Sequence, residues 1–522
     1  MRKSMRTLSI LKTAPAALLL TSTLGAGALA TRPLAAADLP AHPDKIVFAP
    51  FTYTPPAAKD YRTVLKAGPV VYIAEDHELP LVTVSITLRN GTYLTPAGKE
   101  GLAGLAGYLL TKGGTKSRKA KDLDEDLAFL AANLNSAIGD ENGSVSLNLL
   151  SKDVDKGLAI LRQVLTEPAF EEEKLKLRKD QLLNDMKTRN DDSADIEARE
   201  RGFLATGQDF YTNRYVTRAS LDAITREDLV AFHQKWFDAR NMSLAVAGDF
   251  KKAEMLKKLE TLFASWPIKG ELAPAVPKPS HTLKPGVYIV DKDVNQGRVS
   301  ILLPGVLRSD PDYLTAQVMN DVLGGGGFTS RITNRVRSDE GLAYSAGSGL
   351  TAGIWYPGVL RASFQSKVRT CSYASQIVLE VMKGMAEKDV TDEELETAKK
   401  SFTETLPRRF ATKAQTMSVL LDEEFTGRYK SDPGYYASFK TNIDKVTKAD
   451  VKRVAARLLS KGVATILVVG KKNDLLDPDP KHPVKFADLG GGSIVELPLR
   501  DPYTMKPMSR EAAAAAAPAT SK

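Results

Sequence analysis

The amino-acid sequence predicts an α+β fold made of two similar domains, each a β-sheet covered by helices. VVYIAED at residues 70–76 and GVYIVDK at residues 286–292 are each followed by a second apolar run, at residues 82–88 and 298–304. Such runs, bounded by turn residues, are typical of neighbouring strands. SLDAITREDL from residue 220 matches NIDKVTKADV from residue 442, and FEEEKLKLRK from residue 170 matches VTDEELETAK from residue 390. Because ordered pairs recur 216 to 222 residues apart, the sequence predicts an internal duplication.

Residues 1–37 have the pattern of an export signal. Basic residues come first, an apolar run follows from residue 14 to residue 30, and small residues come next. Cleavage is expected after Ala30 or after Ala37. The alternative is a retained membrane anchor, but the run contains Thr21, Ser22 and Thr23 and no stop-transfer pattern follows it. The sequence therefore predicts a periplasmic or secreted protein with no membrane span after cleavage.

The first domain is predicted to cover residues 38–264. Residues 122–135 place apolar side chains at helical spacing and predict an amphipathic helix. Towards the end of this half, Thr225 is a candidate N-cap followed by acidic residues, and residues 242–249 predict a strand that closes on glycine. Thr447 and residues 464–471 repeat this order in the second half.

A proline-rich linker is predicted at residues 265–286, where five prolines disfavour regular structure. The second domain is then predicted at residues 287–475. Residues 476–522 pass through DPDPKHP and GGG and end in a run of alanines. That composition predicts a disordered tail.

Composition excludes several classes of function. The first 37 residues hold five basic and no acidic residues, so the formal charge falls from +9 to +4 without them, and no dense basic stripe predicts a nucleic-acid partner. Cys371, the single cysteine, is expected to be a packed thiol on a helix. The five histidines are scattered without metal-ligand spacing, and surface or capping roles are expected for those at 77, 233 and 281. No metal site is predicted, and no serine or cysteine triad emerges.

Residues 90–115, NGTYLTPAGKEGLAGLAGYLLTKGGT, contain a segment after Gly101 that resembles the metal-binding helix of the pitrilysin-like M16 zinc-peptidase family. In that family an H-x-x-E-H motif places two imidazoles one turn apart on zinc, and its glutamate activates the bound water. Here the corresponding positions hold Gly104, Gly107 and Tyr108. Asp185 lies near the position expected for the family's further carboxylate ligand.

Residues 323–350, LGGGGFTSRITNRVRSDEGLAYSAGSGL, resemble the C-terminal domain of the same family, where an arginine and a tyrosine seven residues apart face the zinc across a closed chamber. The resemblance maps this catalytic pair onto Arg337 and Tyr344. It also implies substrate-binding positions at Gly325, Gly326 and Phe328. The implied fold is two LuxS/MPP-like domains that form half of a clam-shell chamber, as in bacterial M16B subunits.

The resemblance implies a non-catalytic subunit that holds no cofactor itself and pairs, as a heterodimer, with an H-x-x-E-H subunit carrying the zinc. Arg337 and Tyr344 would then donate hydrogen bonds to peptide substrates in the partner's site. The ordinary alternative is a surface pair of Arg337 with Glu340 and a half-buried strand residue at Tyr344. Two other functions stay open: a scaffold or peptide-binding protein with no role in catalysis, and, less favoured, an autonomous hydrolase with an unrecognised site.

Overall fold

The computed structural model describes His42, residues 52–460 and residues 464–509. The predicted signal peptide, both of its cleavage sites and residues 510–522 lie outside this range. In the part of the chain that is described, no helix is both long and apolar enough to cross a membrane. The described residues from Thr54 onward belong to one compact unit.

The first half of the chain folds around a mixed six-stranded sheet with the order β1-β2-β6-β3-β5-β4. Strands β2 and β6 pair in parallel and the other neighbours pair antiparallel. Strand β4 is therefore one edge of this sheet. The strands are β1 (Arg62–Val64), β2 (Val70–Glu75), β3 (Leu81–Leu88), β4 (Asn133–Ile138), β5 (Gly143–Leu150) and β6 (Met242–Gly248).

The second half repeats this sheet, with the order β12-β7-β11-β8-β10-β9. Each inner strand has its counterpart in the first sheet, so the predicted duplication and the α+β class are confirmed. The first edge differs, because β12 comes from the end of the chain and pairs in parallel with β7. The strands are β7 (Gly286–Asp291), β8 (Gln296–Pro304), β9 (Ala343–Leu350), β10 (Val359–Lys367), β11 (Thr465–Gly470) and β12 (Ile494–Leu497).

Helices cover both sheets, and their starts follow the sequence signals. Thr225 and Thr447 each form a capping box with the aspartate three residues later, as their N-cap pattern predicts. In chain order the helices are α1 (Ala58–Tyr61), α2 (Leu102–Lys112), α3 (Ala120–Phe129), α4 (Val154–Thr166), α5 (Glu172–Met186), α6 (Ser193–Thr206), α7 (Arg218–Ala223), α8 (Arg226–Trp236), α9 (Lys252–Phe263), α10 (Tyr313–Asn320), α11 (Arg331–Thr333), α12 (Cys371–Glu387), α13 (Asp392–Thr403), α14 (Lys413–Phe425), α15 (Arg428–Ser431), α16 (Tyr435–Asp444), α17 (Lys448–Leu459), α18 (Lys472–Leu476) and α19 (Phe486–Leu489).

The two halves exchange one helix each. Helix α14 of the second half packs on β2 and β6 of the first sheet, and helix α6 of the first half packs on β8 and β11 of the second. Each contact buries an apolar cluster, and equivalent strand positions line both clusters. The first cluster joins Tyr72 and Ala245 to Leu420, and the second joins Tyr288 and Leu467 to Ile196. Since apolar burial is the main stabilising term in folding, each half depends on the other.

Buried polar contacts accompany both exchanged helices. Glu424 on α14 accepts hydrogen bonds from Arg62 and from the hydroxyl of Tyr72, at 2.9 Å each. Burial opposes ionisation of Glu424, but these hydrogen bonds outweigh it and lower the pKa of its carboxyl. Glu197 on α6 accepts from Ser300 at 2.6 Å and from Arg361 at 3.1 Å.

The predicted disordered tail is wrong for residues 476–509. Strand β12 extends the second sheet, and the chain then reaches the first half, where Arg500 forms an ion pair of 2.9 Å with Glu200 of α6. Arg189 donates to the carbonyl of Pro502 at 2.8 Å. A low-complexity composition disfavours a core of its own, but this segment is ordered by contacts with both halves.

Two further segments qualify the sequence predictions. The helix expected at residues 122–135 ends at Phe129, and Ala131 adopts a positive φ of 47° before β4 begins. Residues 265–285 contain neither helix nor strand, as their prolines indicate. They are nevertheless attached to the first half, because Trp266 is buried in its core and Asn241 bonds to the backbone of Ala273.

Candidate functional site

Helix α2 carries the three positions of the degenerate metal motif. Its apolar face, which includes Leu105 and Leu109, is buried in the core of the first half. Gly104 lies on the exposed face, Gly107 is buried, and Tyr108 is partly exposed. The helix therefore presents positions 104 and 108 to the surface and position 107 to the neighbouring strand β4.

Gly107 lies so close to β4 that no side chain fits there. A Cβ atom at this position would lie 2.5 Å from the amide nitrogen of Ile138 and 2.9 Å from the carbonyl carbon of Ala137. Atoms in contact normally lie 3.5–4.0 Å apart. The structure thus excludes a glutamate at position 107 unless the strand moves. Position 104 is different, since beyond its own stretch of helix no heavy atom of the described residues lies within 4 Å of a Cβ placed there.

Tyr108 contacts a basic side chain where the family has a zinc ligand. The guanidinium of Arg178, on helix α5, lies 4.4 Å from the centre of the Tyr108 ring. This distance is within the range of a cation–π interaction. Asp185 also lies on α5 but is exposed, and its backbone carbonyl accepts a hydrogen bond from the hydroxyl of Thr188.

These residues do not fit a zinc ion. Two glycines supply no ligand, and the phenol of Tyr108 loses its proton only near pH 10. Across the described ranges, histidine, cysteine, aspartate and glutamate form no group of three or more that could hold a metal.

The histidines have other contacts. His77 is exposed and pairs with Asp249 at 2.8 Å, which agrees with a surface role. His281 contacts the carbonyl of Leu204 at 3.1 Å. The surface or capping role expected for His233 is wrong: it is 2% exposed, packs between two phenylalanines and contacts the carbonyl of Leu165 at 2.9 Å. Burial lowers the pKa of His233 to about 4.

Cys371 is also buried, as expected for a packed thiol, and burial raises its pKa to about 12. A thiol with such a pKa is protonated at neutral pH and is a poor nucleophile. The cysteine therefore gives no support to an autonomous hydrolase.

The second predicted site brings Arg337, Tyr344 and Phe328 together. The guanidinium carbon of Arg337 lies 4.7 Å from the centre of the Phe328 ring and 4.8 Å from that of Tyr344. Both rings are largely exposed, Phe328 at 68% and Tyr344 at 85%. Neighbouring exposed apolar side chains of this kind can mark an interaction site. The three side chains form an open cluster, which we call the Arg337 cluster.

The ordinary alternatives for Arg337 and Tyr344 are wrong. Glu340 approaches Arg335, at 3.6 Å, and Arg335 also pairs with Asp339 at 3.1 Å. Within residues 52–460 and 464–509, the guanidinium of Arg337 has no hydrogen-bond or carboxylate partner. Tyr344 is exposed rather than half-buried. The N–H donors of Arg337 are thus held in place by two rings and remain available.

The backbone that carries the Arg337 cluster is irregular but firmly attached. Arg337 lies on a π-helical turn, Asn334–Asp339, and turns of this kind recur at functional sites. Arg331 precedes it and makes a two-pronged ion pair with Glu394 of α13, at 2.6 and 2.7 Å. Thr333 donates to the carbonyl of Ala346 in β9 at 2.8 Å.

The glycine run before Phe328 packs against the same strand. A Cβ atom on Gly324 would lie 2.3 Å from the amide nitrogen of Ser348 in β9, and one on Gly325 would lie 2.7 Å from the side chain of Asn320. Gly326 is similarly close to the carbonyl of Asp321. Here Gly324 permits close approach of the backbone to the sheet, and Gly325 and Gly326 permit close approach to Asn320 and Asp321. Their role in substrate binding stays a prediction.

Sequence patterns did not single out Arg178. It lies 70 residues from Tyr108, on a helix with many charged residues, and only the packing of α5 against α2 brings the two together. Its spacing from Lys174, one helical turn, is a weak signal of a basic face.

Family comparisons agree with both resemblances. Residues 70–205 match the model described as insulinase (peptidase family M16), and residues 223–402 match the model described as the peptidase M16 inactive domain. An uncharacterized zinc protease of Rickettsia bellii is 24% identical over 75% of this chain and 93% of its own length. A protein of Helicobacter pylori named non-peptidase homolog YmxG is 27% identical over 74% of this chain and 87% of its own.

Solved structures show the same fold. The peptidase M16 inactive domain from Pseudomonas fluorescens superposes with a TM-score of 0.69 at 22% identity, covering 78% of this chain and 97% of that one. The periplasmic protease PqqL from Escherichia coli gives a TM-score of 0.67 at 14% identity, covering 78% of this chain and 45% of that one. The matched family models show that the chain belongs to the M16 peptidase family, as a member that lacks the H-x-x-E-H motif.

Proposed function

We propose that this chain is the non-catalytic subunit of a periplasmic, heteromeric M16 metallopeptidase, and that it supplies Arg337 and Tyr344 to the zinc site of an H-x-x-E-H partner. The observation that carries the proposal is the Arg337 cluster. An arginine that has no carboxylate partner among the described residues, held between two exposed rings, is an available set of hydrogen-bond donors. Such a group is suited to a ligand that comes from outside the chain.

The chemistry of Arg337 and Tyr344 suits a peptide carbonyl. A guanidinium and a phenol both donate hydrogen bonds, and these strengthen as negative charge develops on the carbonyl oxygen during attack by water. Since this chain does not fit zinc at positions 104, 107 and 108, the metal and the general base are assigned to the partner. The chain alone is expected to be inactive.

The position of Tyr344 on an edge strand supports peptide as the substrate class. Among the described strands β9 pairs only with β10; its other edge contacts Gly324 at Ser348 and Thr333 at Ala346, so an added peptide strand is proposed only at the end of β9 that carries Tyr344. Backbone pairing of this kind recognises peptides with little regard to sequence. Gly325, Gly326 and Phe328, which precede α11, are proposed to line the same substrate path.

The test is hydrolysis of a fluorogenic peptide by this chain, by an H-x-x-E-H subunit from the same organism, and by the two mixed. We expect activity only in the mixture. In the mixture, Arg337→Ala is expected to lower kcat about a hundredfold or more, because one oxyanion donor contributes about 3 kcal/mol.

Arg335→Ala is the matched control, because Arg335 lies on the same turn but is already paired with Asp339. It should leave kcat unchanged. Hydrolysis by the chain alone would contradict the proposal, and so would equal rates for the two variants. A mixture that binds peptide without hydrolysing it would instead indicate a scaffold or peptide-binding protein.

A further inference from the structure

The degenerate motif lies beside a small cavity of about 120 Å³ between α2 and α5. Tyr108, Lys112, Lys174, Leu177 and Arg178 line it, together with Asp124 and Gln181. Three of these side chains are cationic and one is anionic. The cavity therefore has a local excess of positive charge at the position where relatives with an intact motif hold a metal cation.

The carboxylate of the cavity does not neutralise all of its cationic groups. Asp124 accepts from Lys112 at 3.2 Å, which uses the one carboxylate of the cavity. Lys174 and Arg178 have no carboxylate partner in the described part of the chain. Arg178 donates to the side-chain oxygen of Gln181 at 3.1 Å, and its remaining N–H groups have no acceptor within residues 52–460 and 464–509.

The arginine is also held in a defined orientation. The ring of Tyr108 lies 4.4 Å from its guanidinium carbon, and a stacked guanidinium loses less conformational entropy when it binds. The hydroxyl of Tyr108 has no partner among the described residues, so it offers a further donor. Gly104, one turn before Tyr108, leaves the approach to this ring open.

We propose that this cavity, the Tyr108–Arg178 pocket, binds a carboxylate group of a peptide. The planar fork of arginine matches the two oxygens of a carboxylate, and Lys174 adds a second positive charge. The cavity is too small for a nucleotide, whereas a carboxylate group with its adjoining methylene fits. Leu177, which is 53% exposed, offers an apolar contact to the rest of the peptide residue.

This site goes beyond the proposed function, since the isolated chain would bind the peptide without a partner and without hydrolysis. The carboxylate can come from the C-terminus of a peptide or from an acidic side chain. Three probes labelled at the N-terminus with an uncharged fluorophore distinguish these sources by fluorescence anisotropy: pentaalanine with a free C-terminus, the same peptide amidated, and an amidated form with a central glutamate.

We expect the full chain to bind at least one carboxylate probe at least tenfold more tightly than the amidated pentaalanine, with affinity that falls as salt rises. Arg178→Gln should remove this preference, and Arg178→Lys should restore only part of it, since lysine retains the charge but not the fork. Lys176→Gln is the matched control, because Lys176 lies on the same helix and pairs with Asp180 at 2.7 Å.

Three results would overturn the proposal. The first is equal binding of all three probes, or no binding of any at millimolar concentration. The second is the same loss of affinity in Arg178→Gln and Lys176→Gln, with circular dichroism confirming that both variants are folded. The third is competition by inorganic phosphate as strong as that by acetate, which would indicate a site for anions in general.

Discussion

Replacement of Gly107 by alanine tests whether α2 has closed onto β4. The added Cβ would lie 2.5 Å from the amide nitrogen of Ile138, about 1 Å inside normal contact. Strand β4 resists displacement because it is paired along its length with β5, and because Ser136 donates to the carbonyl of Gly107 at 2.5 Å. Overpacking of this kind lowers the free energy of unfolding by about 1–3 kcal/mol.

Gly104→Ala is the control for helix propensity. Both changes gain about 1 kcal/mol from replacing glycine within a helix, but a Cβ at position 104 meets no described atom within 4 Å beyond its own stretch of helix. The difference between the variants therefore isolates the overpacking cost. In thermal unfolding followed by circular dichroism, Gly104→Ala should raise the midpoint or leave it unchanged, and Gly107→Ala should lie about 1–3 degrees below it. Equal midpoints would refute the close packing.

Three further perturbations address buried groups. His233 has a folded-state pKa of about 4 against an ordinary 6.5, so about 3 kcal/mol of the free energy of unfolding is present above pH 6.5 and is lost as pH falls towards 4. In urea unfolding at several pH values, His233→Gln should reduce this loss of stability. An unchanged dependence of stability on pH would contradict the prediction. Glu200→Ala leaves the buried cations Arg199 and Arg500 without their shared carboxylate and should cost about 3–5 kcal/mol, so a thermal shift under one degree would argue against the ion pairs. Cys371 should react with iodoacetamide at pH 8 at least about a hundredfold more slowly in the folded protein than in urea, and equal rates would show an accessible thiolate.

Local signals in the sequence predicted most of the fold. The apolar runs at residues 70–76 and 286–292 form equivalent strands, and the capping boxes at Thr225 and Thr447 begin equivalent helices. These features depend on residues within a few positions of one another, so pattern alone identifies them. Disorder predicted for residues 476–509 failed because composition reports only the segment's own apolar content, whereas Arg500 is ordered by Glu200 of another helix.

The part of the candidate site that depends on residues close together in the sequence was also predictable. Arg337 and Tyr344 lie seven residues apart on a recognisable motif, and the structure brings them into contact with Phe328. The contact between Tyr108 and Arg178 joins two helices, and the burial of His233 depends on aromatic side chains from separate segments. Sequence spacing carries no information about such distances.

The exchange of α6 and α14 between the halves has a practical consequence for dissecting this protein. A fragment that ends in the proline-rich linker would leave Tyr72, Ala74 and Ala247 uncovered on its sheet, since α14 lies in the other fragment. Neither piece would therefore be a soluble stand-alone module. When the two fragments are mixed, they should reassemble into the intact fold, because α14 and α6 still pack on the opposite half after the linker is cut.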